Sequence, residues 1–248
     1  MIGDILTWLT SGDSWAGPDG ILARLLEHIG YTALVVLLSA LVAVPLGLWI
    51  GHSGRGRWLV TAANALRAVP TLGLLFALTL VLLPRLPGDL AYLVPSVAVL
   101  VLLAVPPILS ATYAGVEAVA PVTRDAARGI GMTGREILTQ VELPIALPLV
   151  LSGLRAAVLQ VVATATIAAY VGLGGLGRFL IDGLATQDYA STAGGAILVA
   201  LLALALDAPF ALLGRVLVSP GLTGRTPRSR RHDARTIDTD PTPAGGTT

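Results

Sequence analysis

The sequence predicts an all-α integral membrane protein of about five transmembrane helices, and three observations carry that expectation. Of the 248 residues, 54% are hydrophobic and 12% are charged, against roughly a quarter charged in ordinary soluble domains. Residues 29–50, 58–83, 90–113, 146–170 and 191–214 are apolar stretches of helical length, and about 20 such residues cross a hydrocarbon layer of roughly 30 Å. Between them, arginine collects on alternate connections, the asymmetry that fixes the orientation of a membrane chain.

Composition also excludes chemistry. The chain has no cysteine and no lysine, so all 16 basic residues are arginine. A Walker A loop holds the β and γ phosphates with lysine, and a Schiff base needs a lysine amine. ATP hydrolysis, if this chain depends on it, belongs to another subunit, and no cofactor is expected here. No disulfide, zinc ribbon or thiol nucleophile is available, and His28, His52 and His232 are too dispersed to suggest a metal site. They read as surface or packing residues.

Taken in order, residues 1–28 read as an external, interfacial segment. "MIGDILTWLT" carries an acid where a signal peptide is basic, and its apolar run is short. Trp8 and Trp15 suit a membrane–water boundary, as do Trp49 and Trp58 around the first loop. The second stretch contains Arg67 and Pro70. It reads either as one span or, broken at Pro70, as an interfacial segment followed by a short span, which raises the helix count to six with little change of topology. Pro95, Pro106 and Pro107 are expected to interrupt the third span, and Gly194-Gly195 opens the fifth.

Arg55 and Arg57, then Arg124, Arg128 and Arg135, then six arginines after residue 214 lie on one side; Arg24, Arg85 and Arg178 lie on the other. The N-terminus is therefore expected outside and the C-terminus in the cytoplasm. Residues 29–214 form the transmembrane domain. Residues 215–248, rich in Arg, Thr, Pro and Gly, form a cytoplasmic basic tail of disordered composition.

The longest cytoplasmic loop, "VEAVAPVTRDAARGIGMTGREILTQVELPIALP", is too polar to cross a membrane. Its pattern predicts two short helices, 122–129 and 133–141, with a sharp turn at Gly131 and a stop at Leu143-Pro144. Asp125, Arg128, Arg135 and Glu136 charge its surface, while Ala126 and Ala127 are small enough for another protein to approach. This is a docking element.

The loop resembles the EAA motif of ABC importer permeases, E-A-A-x3-G-x9-I-x-L-P. Asp125-Ala126-Ala127, Gly131, Val141 and Leu143-Pro144 occupy the motif positions, with Asp for Glu and Val for Ile. The resemblance implies that these residues form a coupling helix seated in a separate ATP-binding subunit, which carries the ATP and magnesium. "RAVPTLGLL", "VELPIALPLVLSGLRAA" and "TATIAAYVGLGGLGRFLIDGL" extend the resemblance, over roughly residues 30–214, to permease subunits of osmoprotectant importers. Such permeases have the type I ABC importer fold and lie in the bacterial cytoplasmic membrane. They work with a second permease, the same or related, and an extracytoplasmic substrate-binding protein; their cargo is glycine betaine, carnitine, choline or proline. A permease of the same fold for methionine or a sulfonate is the alternative, and a secondary transporter is a more distant one.

Two G-x-G-x-x-G spacings need an account: Gly172, Gly174 and Gly177 within "YVGLGGLGRF", and Gly129, Gly131 and Gly134 within "GIGMTG". Neither follows a predicted strand, so neither reads as a dinucleotide loop. The family resemblance places Tyr170, Gly172, Gly174, Gly175 and Gly177 in a re-entrant segment near the outer gate. Quaternary ammonium ions are held by aromatic rings, yet the sequence shows no aromatic cage. Selectivity is expected mainly in the binding protein, with Tyr31, Tyr113 and Tyr170 as candidate lining of the passage. Ionisable groups inside a span face partners or water. Arg67, Arg155 and Asp207 come out at a similar depth, and Asp207 is expected to pair with Arg155 or Arg67.

Overall fold

The computed structural model describes residues 2–217, and the described residues contain helices, turns and loops with no strand. Two short helices, α1 (Ile2–Thr10) and α2 (Gly12–Trp15), precede the first long one, α3 (Ile21–Ser53). That helix starts ahead of residue 29, so Arg24 and Glu27 lie in its first two turns. Gly54, at φ +68°, closes it by donating its N–H to Ile50.

The second stretch is bent, as Pro70 predicts. Helix α4 (Arg57–Ala65) runs through a 3₁₀ turn, Leu66–Ala68, and then meets α5 (Thr71–Leu82) at 91°. Val69, forced out of the helical region by the following proline, is extended at φ −74° and ψ 129°. Helices α6 (Leu90–Glu117), α9 (Leu143–Ala168) and α11 (Tyr189–Leu217) supply the remaining long elements. Among the described residues four helices are long and apolar enough to cross a membrane, or five if the bent pair counts as one span.

The third span is not interrupted: α6 is continuous through Pro95, Pro106 and Pro107. Pro107 has no N–H, which deprives the Leu103 carbonyl of its donor one turn back. The side chain of Gln160, on α9, donates to that carbonyl at 2.9 Å, and Ser39, on α3, donates to Val101 at 3.3 Å. The carbonyl that Pro107 frees is thus met by a neighbouring helix. Gly194-Gly195 does not break α11 either; the two glycines make room for Trp8 of α1 and for Phe179.

Helix α6 lies between α3 and α9 and carries the centre of the core, with Leu100, Ala104, Ile108 and Leu109 against Val35, Ala43, Ala157 and Val161. Small residues bring the backbones together. A Cβ on Gly153 would fall 3.0 Å from the carbonyl of Pro107, and one on Gly115 would fall 3.0 Å from Ala146. Such small-residue seams are what membrane helices use where lipid supplies no hydrophobic drive. Leu22, Leu26, Leu37 and Leu41 on α3 and Leu201 and Leu204 on α11 are exposed, an apolar outer belt.

Between α6 and α9 stand α7 (Pro121–Gly129) and α8 (Gly134–Glu136), the latter running through a π-helical turn, Ile137–Glu142, into α9. Leu143-Pro144 therefore does not end the second loop helix. Residues 134–171 form one uninterrupted helical rod. A proline ring clashes with the carbonyl of residue i−4 in regular helix, and the wider π turn immediately before Pro144 opens that space. Finally α10 (Gly177–Thr186) packs beside α11. Helix α11 extends to Leu217, beyond the expected boundary at 214; the basic tail and His232 lie outside the described residues.

Candidate coupling and passage sites at the two ends of the bundle

The loop between α6 and α9 is built to hold a defined shape. Proline opens α7 at its first turn, where a missing N–H costs nothing. Gly131 sits at φ +88°, a turn that a side chain disfavours. Thr133 and Glu136 then form a capping box: the Thr133 N–H donates to the Glu136 carboxylate at 2.7 Å, and the Glu136 N–H donates to the Thr133 hydroxyl at 3.4 Å.

Outward from this frame project Asp125 and Arg128, paired at 3.0 Å and both exposed. Val122 is 72% exposed and Ile130 81%, which leaves two bare apolar side chains on the loop surface. Ala126 also faces out, whereas Ala127 is buried under the loop itself. The amphipathic register of α7 separates the two alanines: adjacent residues on a helix lie about 100° apart. Val141 and Leu143 are half-buried, and Pro144 is exposed.

Beneath the loop lies a residue that the sequence did not single out. Glu142 is 1% exposed. Its carboxylate accepts a hydrogen bond from Arg124 Nε at 2.6 Å and lies 2.6 Å from His52 Nδ1. Arg124 also donates through Nη2 to the carbonyl of Val116, at 2.6 Å. A buried charge is costly unless paired and hydrogen-bonded; here the partners come from α7 and α3, while Val116 belongs to α6. One carboxylate thus ties the loop to the ends of three long helices. The available signal was an acid beside the apolar start of a span. Its partners, 18 and 90 residues away, are not readable from spacing.

The opposite end of the bundle holds the glycine segment. Helices α3 and α6 begin there and α9 ends there, through a 3₁₀ turn, Ala169–Val171. Gly172 and Gly175 adopt φ +97° and +87°. The Gly175 N–H donates to Glu27 at 2.8 Å, so a carboxylate of the protein itself occupies a donor that a phosphate loop would present. Glu27 pairs with Arg24 at 2.9 Å, and Arg24 also reaches Asp19. Arg178 pairs with Asp182 at 2.8 Å. Gly174 packs against Glu27, and Gly177 packs against the carbonyl of Thr166. His28, fully buried, lies under Gly175 with Nε2 3.2 Å from the carbonyl of Val162.

A cavity of about 450 Å³ opens beside this segment between α3 and α6, and Tyr31, Asp89 and Tyr92 line it. An adjoining cavity of about 370 Å³ shares Tyr92, Gly172 and Arg178 and is lined further by Phe76 and Tyr170. Three of the five tyrosines therefore converge here, an arrangement the sequence did not reveal. Tyr113 is not among them; it lies near the other end of α6.

Of the three intramembrane charges, the structure joins two. Arg155 on α9 and Asp207 on α11 form a two-point pair, with Nη2 2.6 Å from Oδ2 and Nε on Oδ1. Arg67 is exposed in the 3₁₀ turn ahead of the bend and makes no ion pair among the described residues. That turn packs on α6, away from the α9–α11 contact.

Comparison with known proteins agrees with this architecture. Residues 43–219 match the family described as binding-protein-dependent transport system inner membrane component. The osmoprotectant import permease protein OsmW of Salmonella typhimurium is 37% identical over 193 residues, covering 76% of this chain and 87% of that protein. The glycine betaine/carnitine/choline transport system permease protein OpuCB of Bacillus subtilis is 32% identical over 200 residues, covering 80% and 88%. Among solved structures, an inward-facing MetNI methionine ABC transporter superposes with a TM-score of 0.69 at 18% identity, over 80% of this chain and 96% of that one, a likeness of fold. With the family matched across most of its length, this chain belongs to the inner membrane components of binding-protein-dependent transport systems.

Proposed function

We propose that this chain is the translocation subunit of an ATP-driven importer of osmoprotectants such as glycine betaine, carnitine, choline or proline. The observation that carries this reading is the identity, 32–37% over three-quarters or more of the chain, with permeases named for osmoprotectants, glycine betaine, carnitine and choline. A separate ATP-binding subunit, which holds ATP and magnesium, docks on the loop at α7. The exposed Val122 and Ile130 beside the charges of Asp125 and Arg128 suit such a contact. An extracytoplasmic binding protein delivers cargo at the opposite end, and a second permease, the same chain or a related one, completes the pathway. In this reading the N-terminus is outside the bacterial cytoplasmic membrane and the C-terminus inside, as the arginine distribution supports.

Reconstitution in liposomes with the ATP-binding subunit and binding protein tests the proposal. Uptake of labelled choline or glycine betaine is expected only with ATP and both partners. Movement of solute by the chain alone, down an ion gradient, would overturn it; uptake of methionine in place of the quaternary amines would reassign the cargo.

A further inference from the structure

At the end of the bundle away from the coupling loop, the cavity of about 450 Å³ has a size typical of small-molecule sites. Its two arginines are already engaged: Arg24 by Asp19 and Glu27, and Arg178 by Asp182. Glu27 and Asp89 line the cavity with these arginines, and Asp19 and Asp182 pair with the same arginines from outside its lining, so the cluster as a whole sets four carboxylates against two guanidiniums. Asp89 stands at the N-cap position of α6 without a side-chain capping hydrogen bond, and its carboxylate makes no ion pair among the described residues.

Two tyrosine rings face the same space. Tyr92 is held in place by the loop: a Cβ on Gly172 would fall 2.9 Å from its Cδ1, so the ring lies directly against bare backbone. Tyr31, half-buried on α3, stands on the cavity's other wall. Aromatic faces beside an unpaired carboxylate, in a cluster of net negative charge, recognise a soft, weakly hydrated cation.

We infer that this cavity is a transit site for the quaternary ammonium group of the cargo, with Tyr31 and Tyr92 contributing ring faces and Asp89 the counter-charge. The inference rests on the osmoprotectant reading above and places part of the selectivity in the permease itself. A cationic cargo gains from Asp89 with its whole charge, whereas a zwitterion also brings a carboxylate that Asp89 repels.

The test uses the complete complex in liposomes and compares choline with glycine betaine. Tyr92→Leu is expected to raise the KM for choline uptake about three- to tenfold, the range of one cation–π contact. Tyr92→Phe, which keeps the ring face, is expected to restore most of it. Asp89→Asn, at an exposed helix start, is expected to raise the KM for choline more than that for glycine betaine, a shift in preference that a merely structural role would not produce. Co-purification with the ATP-binding subunit identifies any variant that fails to fold. If the wild-type complex imports both cargoes while Tyr92→Leu and Asp89→Asn leave both KM values as they were, the site is refuted and the transport reading stands. If the wild type imports neither, both fall together.

Discussion

Glu142 shows how far a single residue can reach in this chain. Removal of its carboxylate leaves Arg124 and His52 without their shared partner, and both are partly buried. Loss of charge-assisted hydrogen bonds of this kind costs roughly 2–3 kcal/mol. Glu142→Ala is therefore expected to lower thermal stability in detergent and to reduce solute moved per ATP, because the loop is no longer tied to α3. Glu142→Gln keeps an acceptor for Arg124 and should fall between; a Glu142→Ala complex with wild-type coupling would count against the tie. Gly131 gives a second prediction at this scale. At φ +88° a side chain strains the turn by about 1–2 kcal/mol, so Gly131→Asp is expected to insert normally but to co-purify with much less ATP-binding subunit. The turn was legible because one glycine at one spacing sufficed. The carboxylate was not, since its environment is made by residues distant in sequence.

Elements were legible where the chemistry that ends or bends a helix is local. Pro70 bends its stretch as expected, because it forces Val69 into extended backbone and α5 starts afresh after it. The three prolines of α6 carry the same local signal with the opposite outcome. There a side chain from α9 meets the carbonyl that Pro107 orphans, and a sequence does not display which glutamine will arrive at which carbonyl. Gln160→Leu should therefore cost about 1–3 kcal/mol, the penalty of one unsatisfied buried acceptor. A lowered melting temperature in detergent, with α6 kinked at Pro107 in a structure of the variant, is the expected result. Leu143-Pro144 taught the same lesson: the π turn ahead of it absorbs the ring, and the helix continues.

Across the whole molecule, the long helices were readable from apolar length and the bent pair from Pro70, while the way they are locked was not. Arg155 and Asp207 fasten α11 to α9 across the seam between the two helices. Asp207→Asn is expected to reduce the yield of assembled complex several-fold, since it strands a guanidinium in an apolar segment. The double variant Arg155→Gln, Asp207→Asn should recover part of that loss; wild-type assembly and transport in Asp207→Asn alone would remove the pair from any account of the bundle. The two ends of the molecule are meanwhile joined by one element, the rod from Gly134 to Val171. At 1.5 Å per residue it is about 55 Å long, so a tilt of about 5° at its loop end carries its far end through about 5 Å. A push on the loop, as the proposed docking would supply, therefore makes this span a lever arm, and the glycine turn against Tyr92 sits at its tip.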